Sequence, residues 1–511
     1  MYRILILLSA SICCGFGLNI LVIFPHSGKS HFMAFEPFFK TLAKRGHNMT
    51  VISYFPQKDP IKNYRDVSLQ NPNIDTGAIN LEQVPHSRSK HYNGSHFISS
   101  FAEMDCPRGL QSENLVKFVQ ENHKFDVILT EVFNTNCFMG LVKKYQAPFI
   151  GLSSCVILPW VPDWLGSPYH PAYIPVIFMD YSDHMSFIER LENTLMYFYT
   201  RLVFKYKMEI PGNELSKKYL GEDLLENGNI MYNISLFLSN SHFTLNLPRP
   251  LVPADIEVGG IHLGTPKPLP SNIEKWVNES KEGAIFFSLG SLVKGDTFPK
   301  DKVNAFLKAF KRLPQRVMWK WENETMEGKP DNVMIQKWLP QLDVLCHPNV
   351  KLFISHGGLL GTIEAVHCGV PIVFIPQFGD QHTNAKAIQS VGGGMVLRIE
   401  DITEDAVYKV LTKVLSPDFR QQAKELSERF RDRPLPPLET AIYWVEYVAR
   451  HKGAPHMRTA AVNMPFYKYY LLDVAATLFL AFSLFIYVLY LAVNFILQKV
   501  FRLRSGKVKK A

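Results

Sequence analysis

Two periodicities alternate along this chain. From Leu18 to Phe24 all residues but Asn19 are apolar, a run short enough for one buried strand. Phe32, Phe35, Phe38, Phe39 and Leu42 then recur at three- and four-residue intervals, which places one face of a helix against a core, and Gly46 ends it. Met49 to Tyr54 is a second strand, so the segment predicts a strand, helix, strand unit of a parallel sheet. The theme continues in FDVILTEVF (125 to 133) and APFIGLS (147 to 153). Around 245 to 272 the texture turns dense in Pro and Gly, as a connection between domains would. From Gly283 a second alternating series begins, with AIFFSLGS, KVNAFLKAF, RVMWKW, VKLFISHGG and VPIVFIP. The pattern predicts two doubly wound α/β domains facing a cleft, with ligands outside the carboxyl ends of the strands. Beyond Pro434 and Pro436, Leu438, Ala441, Ile442, Val445 and Val448 share a helical face that packs back across the domains.

Both ends of the chain read differently from its middle. Residues 1 to 17 place Arg3 before an apolar run and small residues, the pattern of a cleaved secretory signal. Val474 to Leu497 holds 24 residues without charge, about 36 Å of helix and enough to cross a ~30 Å hydrocarbon core. Tyr467, Tyr469 and Tyr470 stand where interfacial aromatics anchor such a span. The expected organisation is 1–17 signal, 18–245 acceptor-binding domain, 246–282 linker, 283–433 nucleotide-binding domain, 434–470 crossing helix and membrane-proximal segment, 471–497 transmembrane helix and 498–511 basic cytosolic tail.

Composition changes the picture in two places. At 511 residues and 47% hydrophobic, the chain can build more than one core. Its net charge of +9 suggests nucleic acid at first, but Lys499, Arg502, Arg504, Lys507, Lys509 and Lys510 stand in the tail without an acid, and removing those six leaves +3. No nucleic-acid partner is expected. Asn48, Asn93, Asn233, Asn278 and Asn323 begin N-glycosylation sequons. Cys106, Cys137, Cys155, Cys346 and Cys368 form a scattered, odd set that reads as neither a disulfide framework nor a zinc site. Lysines third and fifth from the end resemble a dilysine signal for the endoplasmic reticulum.

Candidate chemistry sits in two loops. Ser27-Gly28-Lys29-Ser30 looks like the end of a phosphate-cradling loop, but such a loop needs a glycine where this chain has Ile23, so the nucleotide must bind elsewhere. The stretch 353 to 381, FISHGGLLGTIEAVHCGVPIVFIPQFGDQ, has a strand running into Gly357-Gly358 and then a helix, whose free amides suit a diphosphate. With Glu364, Pro371, Pro376 and the terminal Asp380-Gln381, it resembles the nucleotide-sugar signature of the UDP-glycosyltransferases, the membrane-bound animal UDP-glucosyl/glucuronosyltransferases, and the resemblance runs the full chain. It implies a GT-B fold of two Rossmann-like domains.

The resemblance also implies roles. Trp338 and Gln341 would hold the uracil, and Glu364 the ribose hydroxyls. Ser291, His356, Gly358 and Gly361 would meet the phosphates, and Asp380 with Gln381 the sugar. His31 corresponds to the family's catalytic histidine, a base of near-neutral pKa that takes the proton of the attacking hydroxyl. Its carboxylate partner would be Glu131, where the family usually has Asp. Leu360 stands where many relatives have Asn. His26 and His47 have weaker claims, being outside the Ser-His motif.

The expected reaction is inverting transfer of a hexose, glucose ahead of glucuronic acid, from a UDP-sugar to hydroxyls of small lipophilic acceptors, as in detoxification. A glycolipid- or sterol-modifying transferase and a non-catalytic binding protein are the alternatives. Arg249 in LPRPLVP is a candidate for the glucuronate carboxylate and equally a linker arginine. Residues 155–171 and 187–206 are the expected acceptor pocket. The chain holds no Asp-x-Asp triplet, so no metal and no cofactor is expected. The expected partners are the UDP-sugar, the acceptor, the bilayer through one helix and, as an open option, a second copy. The expected location is the endoplasmic reticulum membrane, single-pass type I, with the domains lumenal.

Overall fold

The structure is a computed structural model and describes residues 17–70, 90–290 and 295–508. The first sheet contains seven strands, β1 (Asn19–Phe24), β2 (Asn48–Ser53), β3 (Tyr64–Ser68), β4 (Val127–Glu131), β5 (Phe149–Ser153), β6 (Leu236–Ser239) and β7 (Asp255–Glu257), in the order β3-β2-β1-β4-β5-β6-β7. The second contains β8 (Ala284–Ser288), β9 (Arg316–Lys320), β10 (Val333–Gln336), β11 (Val350–Ser355), β12 (Ile372–Phe374) and β13 (Gly394–Val396), ordered β10-β9-β8-β11-β12-β13. Every pairing is parallel. Strands covered on both faces have no polar face to show, and their sequences are accordingly continuous apolar runs. Each sheet reverses its winding once, between β1 and β4 and between β8 and β11. Loops leaving neighbouring strands in opposite directions open a crevice there.

The helices that matter for the site are α1 (Lys29–Lys44), α2 (Lys90–Leu110), α3 (Leu359–His367), α4 (Gln381–Ser390) and α5 (Pro437–Arg450). In α1 the expected face is the buried one, Phe32, Phe35, Phe38, Phe39 and Leu42. The helix ends at Arg45, and Gly46 takes φ +95°, a conformation in which a Cβ is strained. The stretch expected as a linker, 246–282, supplies β7 to the edge of the first sheet and a helix, Ser271–Asn278. Its proline and glycine density marks turns around a short strand, so composition alone overstated the linker.

One face of the second sheet has its own core, in which Phe287 stacks on Trp319 at 4.3 Å. Its other face, where Phe286 stacks on Phe353 at 5.1 Å, continues into the core of the first domain. Helix α5 buries Ala441, Ile442, Val445 and Val448, and Arg45 donates to Glu439 at 2.6 Å from the end of α1. Residues 17 to 458 therefore form one unit with a shared core.

The cysteine expectation is corrected. Cys106 is bonded to Cys137 and Cys346 to Cys368, leaving Cys155 free and buried. Separations of 31 and 22 residues hid the pairs in the sequence; only the α/β winding brings them together.

The second unit, residues 459 to 511, contains α6 (Leu472–Val508). Its segment Leu472–Arg502 has a mean hydropathy of 2.3, enough in length and composition to cross a membrane. The helix runs on past the expected end at 497 into the basic segment. The signal expectation falls on residues 1 to 17, nearly all outside the described residues, as do the last three residues of the dilysine motif.

Truncating a fully buried ring of α1 tests this arrangement. Phe38→Ala should lower unfolding stability by about 3 to 5 kcal/mol, whereas the exposed Lys44→Ala should stay within about 0.5 kcal/mol, by thermal unfolding of the purified protein.

Candidate active site

The turn after β1 brings the first turn of α1, and with it His31, to the crevice of the first domain; the His31 amide donates to Gly28 O at 3.1 Å. Glu131 ends β4, the strand on the other side of the winding reversal. The two meet: His31 Nδ1 lies 2.7 Å from Glu131 Oε1, and the Ser154 hydroxyl, just after β5, lies 2.6 Å from the same nitrogen. A carboxylate only accepts, so Nδ1 carries the hydrogen and Nε2 keeps its lone pair. The side chain of Glu131 is 1% exposed and that of His31 20%. The extra methylene of Glu over Asp does not prevent contact. Ser154 was missed, because a Ser-Ser pair after a strand carries no signature.

His356 occupies the corresponding place in the second domain. Its ring is clasped by two glycines: a Cβ on Gly290 would sit 2.6 Å from Cε1 and one on Gly358 2.5 Å from Nε2. Gly290 also has φ +84°. Burial, and then the Lys320 ammonium, push the imidazole down to about 4. It is neutral at pH 7, and its Nδ1 has no partner among the described residues. Lys320 itself donates to Gly290 O at 2.9 Å and to Glu322 at 2.7 Å. Helix α3 begins beside this ring with Gly358 as an N-cap that offers no side chain, so its first amides are open.

Around these two histidines the fold brings together most of the expected residues. His31, Trp338, Gln341, His356, Gly358, Gly361, Glu364, Asp380 and Gln381 all line one cavity of about 1040 Å³. Trp338 is 69% exposed, a ring held at the rim and not in the core. Gln341 Nε2 donates to Glu364 Oε2 at 2.6 Å, and burial pushes the Glu364 carboxyl up to about 7. Asp380 stands at the N-cap position of α4 without a side-chain capping bond; its carboxylate accepts from Asn384 Nδ2 at 2.8 Å. Burial raises its pKa, opposed by Asn384 and by the charge of His31 across the cleft. Gln381 Oε1 is taken by the amides of Gln377 and Phe378, at 2.8 and 3.3 Å. Ser291 lies outside the described residues. Lys29 is exposed and does not reach the cavity.

The acceptor side departs from expectation. Of 155–171 only Cys155 lines the cavity; Trp160 and Trp164 pack on Phe204 at 4.4 and 5.8 Å, so their apolar density is core. In 187–206, Phe187, Leu191, Leu195, Phe198 and Leu202 are exposed on the outside of helix Phe187–Val203 and do not line the cavity. The wall comes instead from α2, through Phe97, Ile98, Phe101 and Met104, joined by Phe133 and Phe178. One face of α2 lines a cavity while the other packs on protein, which blurs its apolar periodicity in the sequence. Arg249 is also away from the cavity, beside Asp255 and Glu257. His47 holds the chain entry, accepting from Leu18 N at 3.1 Å.

Comparison with known proteins agrees with this geometry. The family model described as "UDP-glucoronosyl and UDP-glucosyl transferase" matches residues 19–509. UDP-glycosyltransferase UGT5 of Dactylopius coccus is 42% identical over 503 residues, covering 96% of this chain and 94% of its own. UDP-glucuronosyltransferase 1A9 of Homo sapiens is 32% identical over 413 residues, covering 80% and 76%. Among solved structures, the kitacinnamycin glycotransferase (TM-score 0.55, 16% identity) covers 85% of this chain and 99% of its own. The calicheamicin glycosyltransferase CalG4 (TM-score 0.53, 17% identity) covers the same shares, and both share the two-domain GT-B fold. A match across nearly the whole chain, on top of two facing crevices that share one cavity, places this chain in the UDP-glycosyltransferase family of enzymes.

Proposed function

We propose that the chain transfers glucose, with inversion, from UDP-glucose to a hydroxyl of a small lipophilic acceptor, with His31 as general base and Glu131 as its orienting partner. The observation that carries this is the 2.7 Å His31–Glu131 contact on the same cavity as Trp338, Glu364 and Asp380. The acceptor O–H gives its proton to His31 Nε2 as its oxygen attacks the anomeric carbon. The bond from that carbon to the β-phosphate oxygen breaks, and its electron pair leaves on UDP. Buried Glu131 stabilises the imidazolium that forms. The open amides of α3 and neutral His356 receive the charge on the diphosphate, a donor set that suits transfer without a metal. Glucose is favoured because Arg249 is away from the cavity, and of the two Lys and Arg side chains that line it Lys320 is engaged by Gly290 and Glu322 while Arg108 stands on the wall helix α2.

We place the domains in the lumen of the endoplasmic reticulum, anchored by α6. Two disulfides suit an oxidising compartment, and all five sequon asparagines are exposed.

For the base, His31→Ala should lower turnover about 10²- to 10⁴-fold while UDP affinity by calorimetry stays the same. Glu131→Gln should also reduce turnover, and Lys29→Ala should leave UDP binding intact. Full turnover in His31→Ala at saturating donor would remove the assignment.

For the nucleotide, a Glu364 carboxylate that accepts from the ribose hydroxyls must be ionised. Because burial raises its pKa to about 7, protonation on going from about pH 8 to pH 6 should weaken UDP binding, by up to about tenfold. Glu364→Gln should bind weakly throughout and flatten that dependence; an unaltered slope would take Glu364 out of the site.

For topology, protease added to sealed microsomes should trim only the basic tail, about the last fourteen residues. Loss of the large unit would reverse the orientation.

A further inference from the structure

His31 has a neighbour that the mechanism above does not use. His26 Nδ1 lies 3.1 Å from Asp105 Oδ2, and both side chains are buried, at 6% and 3% exposure. The His26 ring stands 4.6 Å from that of His31, and Phe133 packs against both, at 5.1 and 4.4 Å. The same Asp105 oxygen accepts from Ser27 N at 3.0 Å. One carboxylate oxygen thereby holds two successive residues of the loop that leads into α1 and His31. Gly28 comes next, and a Cβ there would sit 2.5 Å from His26 Nε2, so the loop backbone folds directly over the imidazole.

Asp105 belongs to α2, the helix whose Phe97, Phe101 and Met104 form the acceptor wall. The adjacent residue, Cys106, is bonded to Cys137 in the loop that follows Glu131 and β4. On consecutive residues, then, the wall helix is tied to the loop that precedes His31 and to the loop beyond Glu131. A buried ionisable pair is a poor source of net stability, because desolvation offsets most of the attraction, and its well-attested use is to specify geometry. Two hydrogen bonds to one oxygen of Asp105 fix direction as well as distance.

We propose that His26 and Asp105 are a positioning pair that sets the separation between His31 and the acceptor wall, and so select which acceptor hydroxyls reach the base. This rests on His31 being that base. His26 also borders the cavity, with Nδ1 engaged by Asp105 and Gly28 close to Nε2, so the test below separates positioning from a role as proton acceptor.

The test uses the full-length protein in detergent with saturating UDP-glucose, a one-ring phenol and a bulky multi-ring phenol. Asp105→Asn and His26→Leu should each lower kcat/KM about 10- to 100-fold, the range for a displaced catalytic group. The ratio of kcat/KM for bulky over small acceptor should change about tenfold, with UDP affinity unchanged and the acid limb of the pH profile in place. His26→Asn, whose Nδ2 can donate where Nδ1–H does, should restore the ratio. An unchanged ratio in His26→Leu overturns the proposal in favour of a purely structural tie, and a displaced acid limb overturns it in favour of His26 as a titrating base. Should Asp105→Asn fail to fold, the His26→Leu and His26→Asn comparison decides. Full turnover in His31→Ala would instead sink the base reading, a result separate from the acceptor ratio.

Discussion

A histidine can take a proton from substrate only if one of its nitrogens is kept occupied and the other kept bare. The 2.7 Å contact between His31 Nδ1 and Glu131 Oε1 meets that requirement for the base role proposed for His31. Its two ends come from segments that are distant in sequence and neighbours in the fold, the start of the helix that follows β1 and the end of β4, and β1 and β4 flank the one place where the winding of that sheet reverses. Burial of Glu131 matters as much as distance. In water the same pair would be screened to little consequence, whereas a carboxylate at 1% exposure stabilises a forming imidazolium strongly.

The second domain solves a different problem with the same topology. A diphosphate needs donors but no competing anion, and a deep site makes each ionised group expensive. Burial accordingly drives His356 toward its neutral form and Glu364 toward its own, while the α3 amides supply polarity that does not titrate. The glycines follow from this packing. Gly290 and Gly358 lie so close to the His356 ring that any side chain on either would strike it.

Legibility in the sequence followed the range of the interactions. The β1, α1, β2 unit and the segment from β11 to α4 were readable because apolar spacing, glycines and polar residues there act within a few turns of chain. His31, Glu131, His356, Glu364 and Asp380 were expected from the resemblance to the UDP-glycosyltransferases and not from local spacing; the fold brings four of them to one cavity, with Glu131 behind His31. What escaped depends on contacts between distant segments. Cys106 meets Cys137 and Cys346 meets Cys368 only after the sheets wind. Ser154 reaches His31 across 123 residues, and Asp105 reaches His26 across 79. The acceptor wall was misplaced for a related reason. Tryptophans in 155–171 advertise burial, and sequence cannot say whether a buried ring faces a core or a cavity.

This division has a functional reading. The proposed donor half is built from short-range backbone features that tolerate little variation, since a Cβ at Gly358 would collide with His356. The acceptor half is a helix, α2, held in place by a disulfide, a carboxylate and contacts reaching the other domain, such as Phe97 against Phe378 at 5.4 Å. Thr383, on α4 just beyond Asp380, donates to Met179 O at 2.9 Å and so grips the backbone on one side of Phe178. Phe97, Ile98, Phe101 and Met104 can therefore vary without removing the ties that locate the helix, because those ties are made by Asp105, which borders the cavity beside them, and by Cys106. In the proposed reading, constant chemistry and variable acceptor choice then coexist in one chain: the base is held between the start of α1 and the end of β4, the donor by the glycine loops, and the wall by Asp105 and Cys106, of which Asp105 itself borders the cavity.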